Sequence, residues 1–266
     1  MTVSDTRTAR LALFLVTAAA MLVTVGGTGA FASGPAVAAS RTDRAAPVTL
    51  ATPAKQAVAV GIGGAVASDD VQATQAGIEV LQHGGNAVDA AVAVAATLGV
   101  TDPFVAGIGG GGFLVYYDAR AHQVYTIDGR ETAPLSASPS LFIDPSTGQP
   151  LTFPAAVTSG LSVGVPGTLM TWQQALRNWG TMSLADAMRP AEQVARRGFP
   201  VDAEFREQVR ENAFRFDQFS STSKLFLPDG QLPVVGSVFR NPDLAATYAE
   251  IGRARVDDLA GHRGGS

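Results

Sequence analysis

The chain contains no cysteine among its 266 residues. This absence excludes a disulfide framework, a cysteine nucleophile and any metal site built from thiolates. If the protein is exported, it must rely on its hydrophobic core rather than on covalent cross-links.

Histidine is also scarce, with three residues in the whole chain. His83 follows a predicted helix, His122 lies in a predicted hairpin turn, and His262 lies in a glycine-rich tail. These positions are typical of surface histidines, and their spacing indicates neither a metal cluster nor a Ser-His-Asp set. We therefore predict no metal, no cofactor and no catalytic residue of these kinds.

Charged residues make up 16% of the chain, and the net charge of −4 corresponds to an isoelectric point of about 5.3. No stretch combines clustered basic residues with aromatic ones, so nucleic acid is not expected as a partner. Hydrophobic residues make up 46%, and the length suits one large domain or two small ones.

The start of the chain differs from the rest in composition. Arg7 and Arg10 precede an apolar run at residues 11–25, and Ala30-Phe31-Ala32 match an Ala-x-Ala cleavage site. This order predicts a signal peptide over residues 1–32 and hence a secreted protein, extracellular or periplasmic in a bacterium. An uncleaved membrane anchor is the alternative, although the apolar run is short for a membrane span.

After a second possible cleavage site at residues 36–38, the chain remains rich in Ala, Ser, Thr and Pro. We predict a disordered linker over residues 33–57. Periodicity, caps and breakers then predict strand pieces at 58–62 and 65–67, a hairpin of strands 113–117 and 123–127, and helices at 71–82, 87–98, 168–179, 184–197, 201–216 and 241–251. Pro190 is expected to kink or restart the helix that contains it.

Residues 107–112 contain five glycines in six positions, so some group must approach this backbone closely. The hairpin that follows would present Arg130 at the end of its second strand, and arginine can grip a carboxylate through two parallel hydrogen bonds. A glycine-lined floor beside a guanidinium suggests a small anionic substrate. A tight turn or close strand packing without a ligand stays open.

The same glycines fit the spacing of a dinucleotide-binding fingerprint, with Asp128 about twenty residues further on. That motif needs a strand before the glycines and a helix after them. Here the predicted order is reversed, which argues against a nucleotide-dependent oxidoreductase. Two other polar features are predicted to have structural roles. Asp69-Asp70 is typical of a helix start, and Asp89, in an apolar helix, is expected to have a buried partner.

Six segments in order resemble the N-terminal part of the large subunit of the γ-glutamyltransferase family. They are Ala67-Ser68-Asp69, residues 84–91, residues 107–112, residues 130–134, Val165-Pro166-Gly167 and residues 190–200. The resemblance covers about residues 58–252 and implies an α+β fold, part of the four-layer αββα sandwich of the N-terminal-nucleophile hydrolases. It also implies an exported proenzyme that cleaves itself into a large and a small subunit.

In this family the N-terminal threonine of the small subunit attacks the γ-glutamyl amide of glutathione, and the acyl group passes to water or to an amino acid. The resemblance implies that Arg130 binds the α-carboxylate of the substrate, that Glu131 supports that site, and that the glycine run is core packing near it.

We identify no counterpart in this sequence for the other residues that catalyse the family's reaction. We expect the chain to be an incomplete fragment that lacks the nucleophilic threonine and the small subunit, with a divergent tail at 253–266. An inactive remnant or a non-enzymatic γ-glutamyl-binding module is the alternative.

Overall fold

The computed structural model of the chain describes residues 58–254. The predicted signal peptide (1–32), the alternative membrane anchor, the predicted linker (33–57) and the predicted tail beyond residue 254, with His262, lie outside the described residues. Within the described range, no helix is long and apolar enough to cross a membrane.

Residues 58–254 form nine α-helices and four strands, an α+β arrangement. The helices are α1 Val71–Gln82, α2 Ala87–Thr101, α3 Pro103–Ala106, α4 Phe153–Thr158, α5 Thr168–Trp179, α6 Leu184–Arg197, α7 Ala203–Phe216, α8 Ser220–Phe226 and α9 Pro242–Arg253. The strands are β1 Phe113–Asp118 and β2 Gln123–Asp128, which pair antiparallel, and β3 Phe199–Pro200 and β4 Val238–Phe239, which form a second antiparallel pair.

Helix α2 is buried at the centre of the described part, packed between α1 and α6. It begins at a capping box in which the Asn86 side chain accepts from the backbone of Asp89 while the Asp89 carboxylate accepts from the backbone of Asn86. Its apolar surface runs nearly all round, as predicted for a buried helix. The helix is three residues longer than predicted and ends before Pro103, which starts α3.

The main core lies between α2, α6 and α9, with α5 and α7 beside them. Tyr248 of α9 is 2% exposed and donates its hydroxyl to the Ala96 carbonyl of α2 at 2.9 Å. Burial raises the pKa of this hydroxyl above its usual range. The hydroxyl therefore stays protonated and keeps donating, which ties α9 to α2.

A cluster of phenylalanine rings forms part of the main core and packs against it. Neighbouring rings have centroids 4.8 to 6.3 Å apart in tilted, stacked or edge-on arrangements. The members are Phe104, Phe199, Phe205, Phe216, Phe226 and Phe239. Because Phe104 belongs to α3, this cluster fixes the short helix that leads into the glycine run.

Helix α6 is continuous through Pro190, so the predicted restart does not occur. Proline removes one backbone hydrogen bond, but the buried stripe of Leu184, Ala187, Met188 and Ala191 packs against the core. Burial of that stripe offsets the loss, because most of a helix's stability in a protein comes from its packed face.

The strand pieces predicted at 58–62 and 65–67 are wrong, because neither segment forms a strand. Val60 and Ile62 are fully exposed, at 97% and 102%, and no other strand of the described part lies alongside them. A β-branched sequence forms a strand only when a partner supplies the hydrogen bonds and covers one face.

The predicted buried partner of Asp89 is found in the turn between α5 and α6. The carboxylate is fully buried and accepts from the backbone N–H of Asn86 at 2.8 Å, of Thr181 at 2.9 Å and of Met182 at 3.0 Å. The Thr181 hydroxyl donates to it at 2.7 Å. Burial alone would raise the pKa of Asp89, but these hydrogen bonds bring it below its ordinary value.

We expect Asp89→Asn to lower the free energy of unfolding at pH 7 by about 2–3 kcal/mol. Asparagine replaces one carboxylate oxygen by an NH2 group, so at least one buried backbone N–H loses its acceptor and faces another donor. The lowered pKa means that the carboxylate stabilises the fold above its unfolded pKa of about 4 and that this contribution is lost as the pH falls through the folded pKa. Urea unfolding should therefore show a smaller gap between parent and variant at pH 3 than at pH 7.

The control is Asp243→Asn, an exposed carboxylate at the start of α9. It should change the unfolding free energy by less than about 0.5 kcal/mol at either pH. An Asp89→Asn variant as stable as the parent at pH 7 would contradict this role of Asp89.

Candidate functional site

Arg130 lies at the end of the hairpin, as the sequence predicts. The ladder of β1 and β2 continues one pair beyond the strands, because Gly129 donates to Gly112 at 2.9 Å and Gly112 donates back at 3.2 Å. Arg130 follows directly and donates its backbone N–H to Oδ1 of Asp128 at 3.0 Å. The chain is bridged again at Thr132, which accepts from the Val165 N–H at 2.9 Å.

The Arg130 side chain projects from this turn and is 70% exposed. Its Nε lies 3.2 Å from Oε2 of Glu131, an oxygen that is itself buried. The terminal nitrogens of Arg130 donate no hydrogen bond within residues 58–254. Glu131 therefore forms an ion pair with the inner edge of the guanidinium, without hydrogen-bond geometry, and the outer fork is left for an anion.

The glycine run is tightly packed at Gly111 and open at Gly109 and Gly112. A Cβ at Gly111 or at Gly167 would overlap the carbonyl oxygen of Gly129, and Gly167 donates to Gly110 at 3.0 Å. We call Gly111, Gly129 and Gly167 the glycine junction, since three chain segments meet there backbone to backbone. At Gly109 a Cβ would contact nothing within 4 Å.

The junction shows that part of the glycine run is packed backbone to backbone. That the run lies near a substrate site stays a prediction. The order of elements agrees with the rejection of the dinucleotide fingerprint, because helices α2 and α3 precede the run and strand β1 follows it. No helix N-terminus follows these glycines to receive a pyrophosphate.

A cavity of about 860 Å³ lies between α2, the glycine run, the start of β1 and α5. Its walls combine apolar side chains such as Val92, Leu98 and Trp172 with the polar backbone of the glycine run. Glu131 is the one charged residue that lines it within the described part, whereas Arg130 lies outside the lining. The structure thus brings Glu131 and the glycine run to the cavity and places Arg130 next to Glu131.

The β1–β2 hairpin has one covered and one uncovered face. Tyr116 and Tyr125 pack on Trp179 of α5, with ring centroids 5.0 and 5.3 Å from it. On the other face Phe113 and Val115 are 69% and 70% exposed. Asp128 is the cross-strand partner of Phe113 and shares this uncovered face.

The other polar candidates have structural roles. Asp70 caps α1 by accepting from Ala73 at 3.0 Å, which confirms the helix-start reading, and the His83 ring is 2.6 Å from the Glu79 carbonyl. His122 lies in the hairpin turn with positive φ. In residues 58–254 no three His, Asp or Glu side chains are grouped to hold a metal ion.

Asp128, Gly167 and Thr171 contribute to the site in ways that the sequence did not predict. Thr171 of α5 packs so closely against Gly129 that a Cβ on Gly129 would overlap the Thr171 hydroxyl. The Asp-Gly pair before Arg130 is a turn signal that could have indicated the bond from Asp128. Nothing in the local sequence indicates that α5 would reach Gly129.

The Gamma-glutamyltranspeptidase family matches this chain over residues 73–260, which includes the glycine run, Arg130 and Glu131. The chain belongs to this family. The matched range ends within the segment predicted as a divergent tail.

Two curated members of the family are glutathione hydrolase proenzymes. The one from Bacillus subtilis (strain 168) is 40% identical over 191 residues, which cover 72% of this chain and 32% of the relative. The one from Escherichia coli (strain K12) is 38% identical over 197 residues, 74% of this chain and 33% of the relative. The chain therefore spans about a third of the length of these relatives.

The gamma-glutamyltranspeptidase structure from Helicobacter pylori matches with a TM-score of 0.69 at 32% identity, covering 76% of this chain and 60% of that one. The Pseudomonas nitroreducens family member, solved with L-DON, gives a TM-score of 0.67 at 32% identity, covering 76% and 58%. The fold prediction is confirmed: the chain is α+β and forms part of the N-terminal-nucleophile hydrolase fold.

Proposed function

We propose that residues 58–252 are the large-subunit region of a γ-glutamyltransferase that cleaves γ-glutamyl amides such as glutathione and passes the acyl group to water or to an amino acid. The observation that carries this proposal is the free outer fork of Arg130, held by Glu131 beside a glycine-lined cavity. Family membership supplies the reaction class, and the position of Arg130 supplies the substrate group it would bind.

Arg130 is proposed to bind the α-carboxylate of the γ-glutamyl group. Because Nε lies against Glu131, the two terminal nitrogens are the donors that remain for a carboxylate. A charge-assisted hydrogen bond contributes about 1.5–3 kcal/mol, more than a neutral one. The ion pair with Glu131 would favour one orientation of the fork before the substrate arrives and so reduce the ordering that binding requires.

The small subunit of the same proenzyme is the partner we propose for the uncovered hairpin face. Four apolar side chains there are more than half exposed: Phe113, Val115, Tyr117 and Val124. Both hairpin edges lack a further strand within residues 58–254. An apolar sheet face with open edges needs a covering layer, which a second sheet of the αββα sandwich would supply.

We also propose roles for the segments at the two ends of the chain. Residues 1–32 would direct export and be removed before Ser33, and residues 33–57 would act as a linker. Residues 253–266 would form a divergent tail, into which the family match extends as far as residue 260. The support is the order of charged, apolar and small residues at the start of the chain. The protein would then act outside the cytoplasm.

Activity should require the polypeptide that the longer relatives carry beyond this region. We expect the purified 266-residue chain to release no chromophore from a γ-glutamyl anilide. The same chain completed with the downstream region of the Bacillus subtilis relative should release it, because acyl transfer needs an activated nucleophile.

That downstream region alone is the control and should be inactive. Turnover by the repurified 266-residue chain alone would contradict the proposal. A completed chain that folds and binds a γ-glutamyl ligand without turnover would instead support the γ-glutamyl-binding module.

A further inference from the structure

The direction of the Arg130 side chain depends on how its backbone is held. On one side Gly129 is fixed by its paired hydrogen bonds with Gly112 and by packing against Thr171. On the other side Thr132 is fixed by the bridge to Val165. Arg130 lies between these two anchored points.

Within this span the Arg130 backbone N–H is bound by a side chain rather than by a strand. Oδ1 of Asp128 accepts that N–H at 3.0 Å, across two residues. An Asp side chain that bonds the backbone two residues on closes an Asx turn, which substitutes for a backbone turn. Loss of the acceptor would let the Arg130 backbone rotate between its anchors.

We propose that Asp128 is the positioning residue for Arg130: its Oδ1 holds the turn that aims the guanidinium at the substrate carboxylate. This inference rests on the proposed function. What matters is the acceptor oxygen at this distance from the backbone, not the negative charge, which would repel an incoming carboxylate. Asparagine keeps the acceptor and removes the charge, whereas glutamate keeps the charge and moves the acceptor one methylene away.

The chain provides a matched control at the opposite end of the same hairpin. Asp118 makes the same kind of turn, with Oδ1 accepting from the backbone of Arg120 at 2.8 Å and of Ala121 at 3.2 Å. Asp118→Ala therefore removes two hydrogen bonds of the same kind from the same hairpin without touching Arg130. It separates a general loss of hairpin stability from a loss of positioning.

The test uses the full chain completed with the downstream region of the Bacillus subtilis relative, and it measures KM and kcat for a γ-glutamyl anilide. Asp128→Ala and Asp128→Glu should raise KM about three- to tenfold, the range expected for one hydrogen bond, with kcat changed less than about twofold. Asp128→Asn and Asp118→Ala should stay within about twofold of the parent. The amounts of folded, soluble protein are compared for every variant, so Asp128→Glu decides the matter if Asp128→Ala does not fold.

A double-mutant cycle with Arg130→Ala separates this inference from the proposed function. In the Arg130→Ala background Asp128→Ala should have no further effect on KM, because the residue it positions is gone. If Arg130→Ala itself leaves KM unchanged, the proposed function fails. If Arg130→Ala raises KM but Asp128→Ala behaves like Asp118→Ala, or its effect persists without Arg130, only the positioning role of Asp128 is overturned.

Discussion

Alanine at Gly111 is expected to lower the free energy of unfolding by about 3 kcal/mol or more, the upper end of the cost of overpacking. A Cβ at this position would overlap the Gly129 carbonyl oxygen and lie 2.9 Å from the backbone nitrogen of Glu131. Both are backbone atoms of the turn that carries Arg130, so the strain cannot be relieved by turning a side chain. Urea unfolding followed by circular dichroism measures the loss.

Gly109→Ala is the matched control, two residues away in the same glycine run. It meets nothing within 4 Å and its φ is not in the left-handed region. The substitution should therefore be neutral or stabilise the chain by up to about 1 kcal/mol, because alanine restricts the unfolded chain. Equal effects at Gly109 and Gly111 would contradict the packing described for the glycine junction.

Removal of the Arg130 side chain is expected to have the largest effect on substrate binding. In the completed chain Arg130→Ala should raise KM for a γ-glutamyl anilide by at least about tenfold, since a lost charge-assisted hydrogen bond is worth about 1.5–3 kcal/mol and each decade corresponds to about 1.4 kcal/mol. Arg130→Lys should raise it less, because lysine keeps the charge but loses the planar fork. Steady-state kinetics measures both.

Arg120→Ala in the hairpin turn is the control for the loss of a positive charge elsewhere in the same hairpin. Arg120 is exposed and its side chain makes no hydrogen bond or ion pair within residues 58–254, so KM should barely change. If Arg130→Ala matures normally and binds γ-glutamyl substrates like the parent, the assignment of this site is wrong.

Local signals in the sequence predicted much of the helical structure. The bounds of α1, α5 and α6 agree with the prediction, and Ser183 caps α6 through the side-chain bond that such a residue favours. The hairpin was also predictable, since both its strands and its turn are contiguous in the sequence. Each of its strands is one residue longer than predicted.

Features that depend on distant segments could not be predicted. The residues at 58–67 have strand-like composition but no partner, whereas Phe199–Pro200 form a strand because Val238–Phe239 lie beside them. Helix α8 was missed because its seven residues, SSTSKLF, carry a weak helical signal. At the site, Arg130 was indicated by the predicted hairpin and by the family resemblance, while the convergence of Gly111, Gly129 and Gly167 is a tertiary contact.

The most direct test of the account compares two anilides that differ in one group. A γ-glutamyl anilide carries the α-carboxylate, and the corresponding 4-aminobutanoyl anilide lacks it. The completed chain should favour the first by more than about tenfold in kcat/KM, from the energy of a charge-assisted hydrogen bond, and Arg130→Ala should bring the ratio close to one. A ratio that is the same in the parent and in Arg130→Ala would contradict the claim that Arg130 anchors the substrate carboxylate.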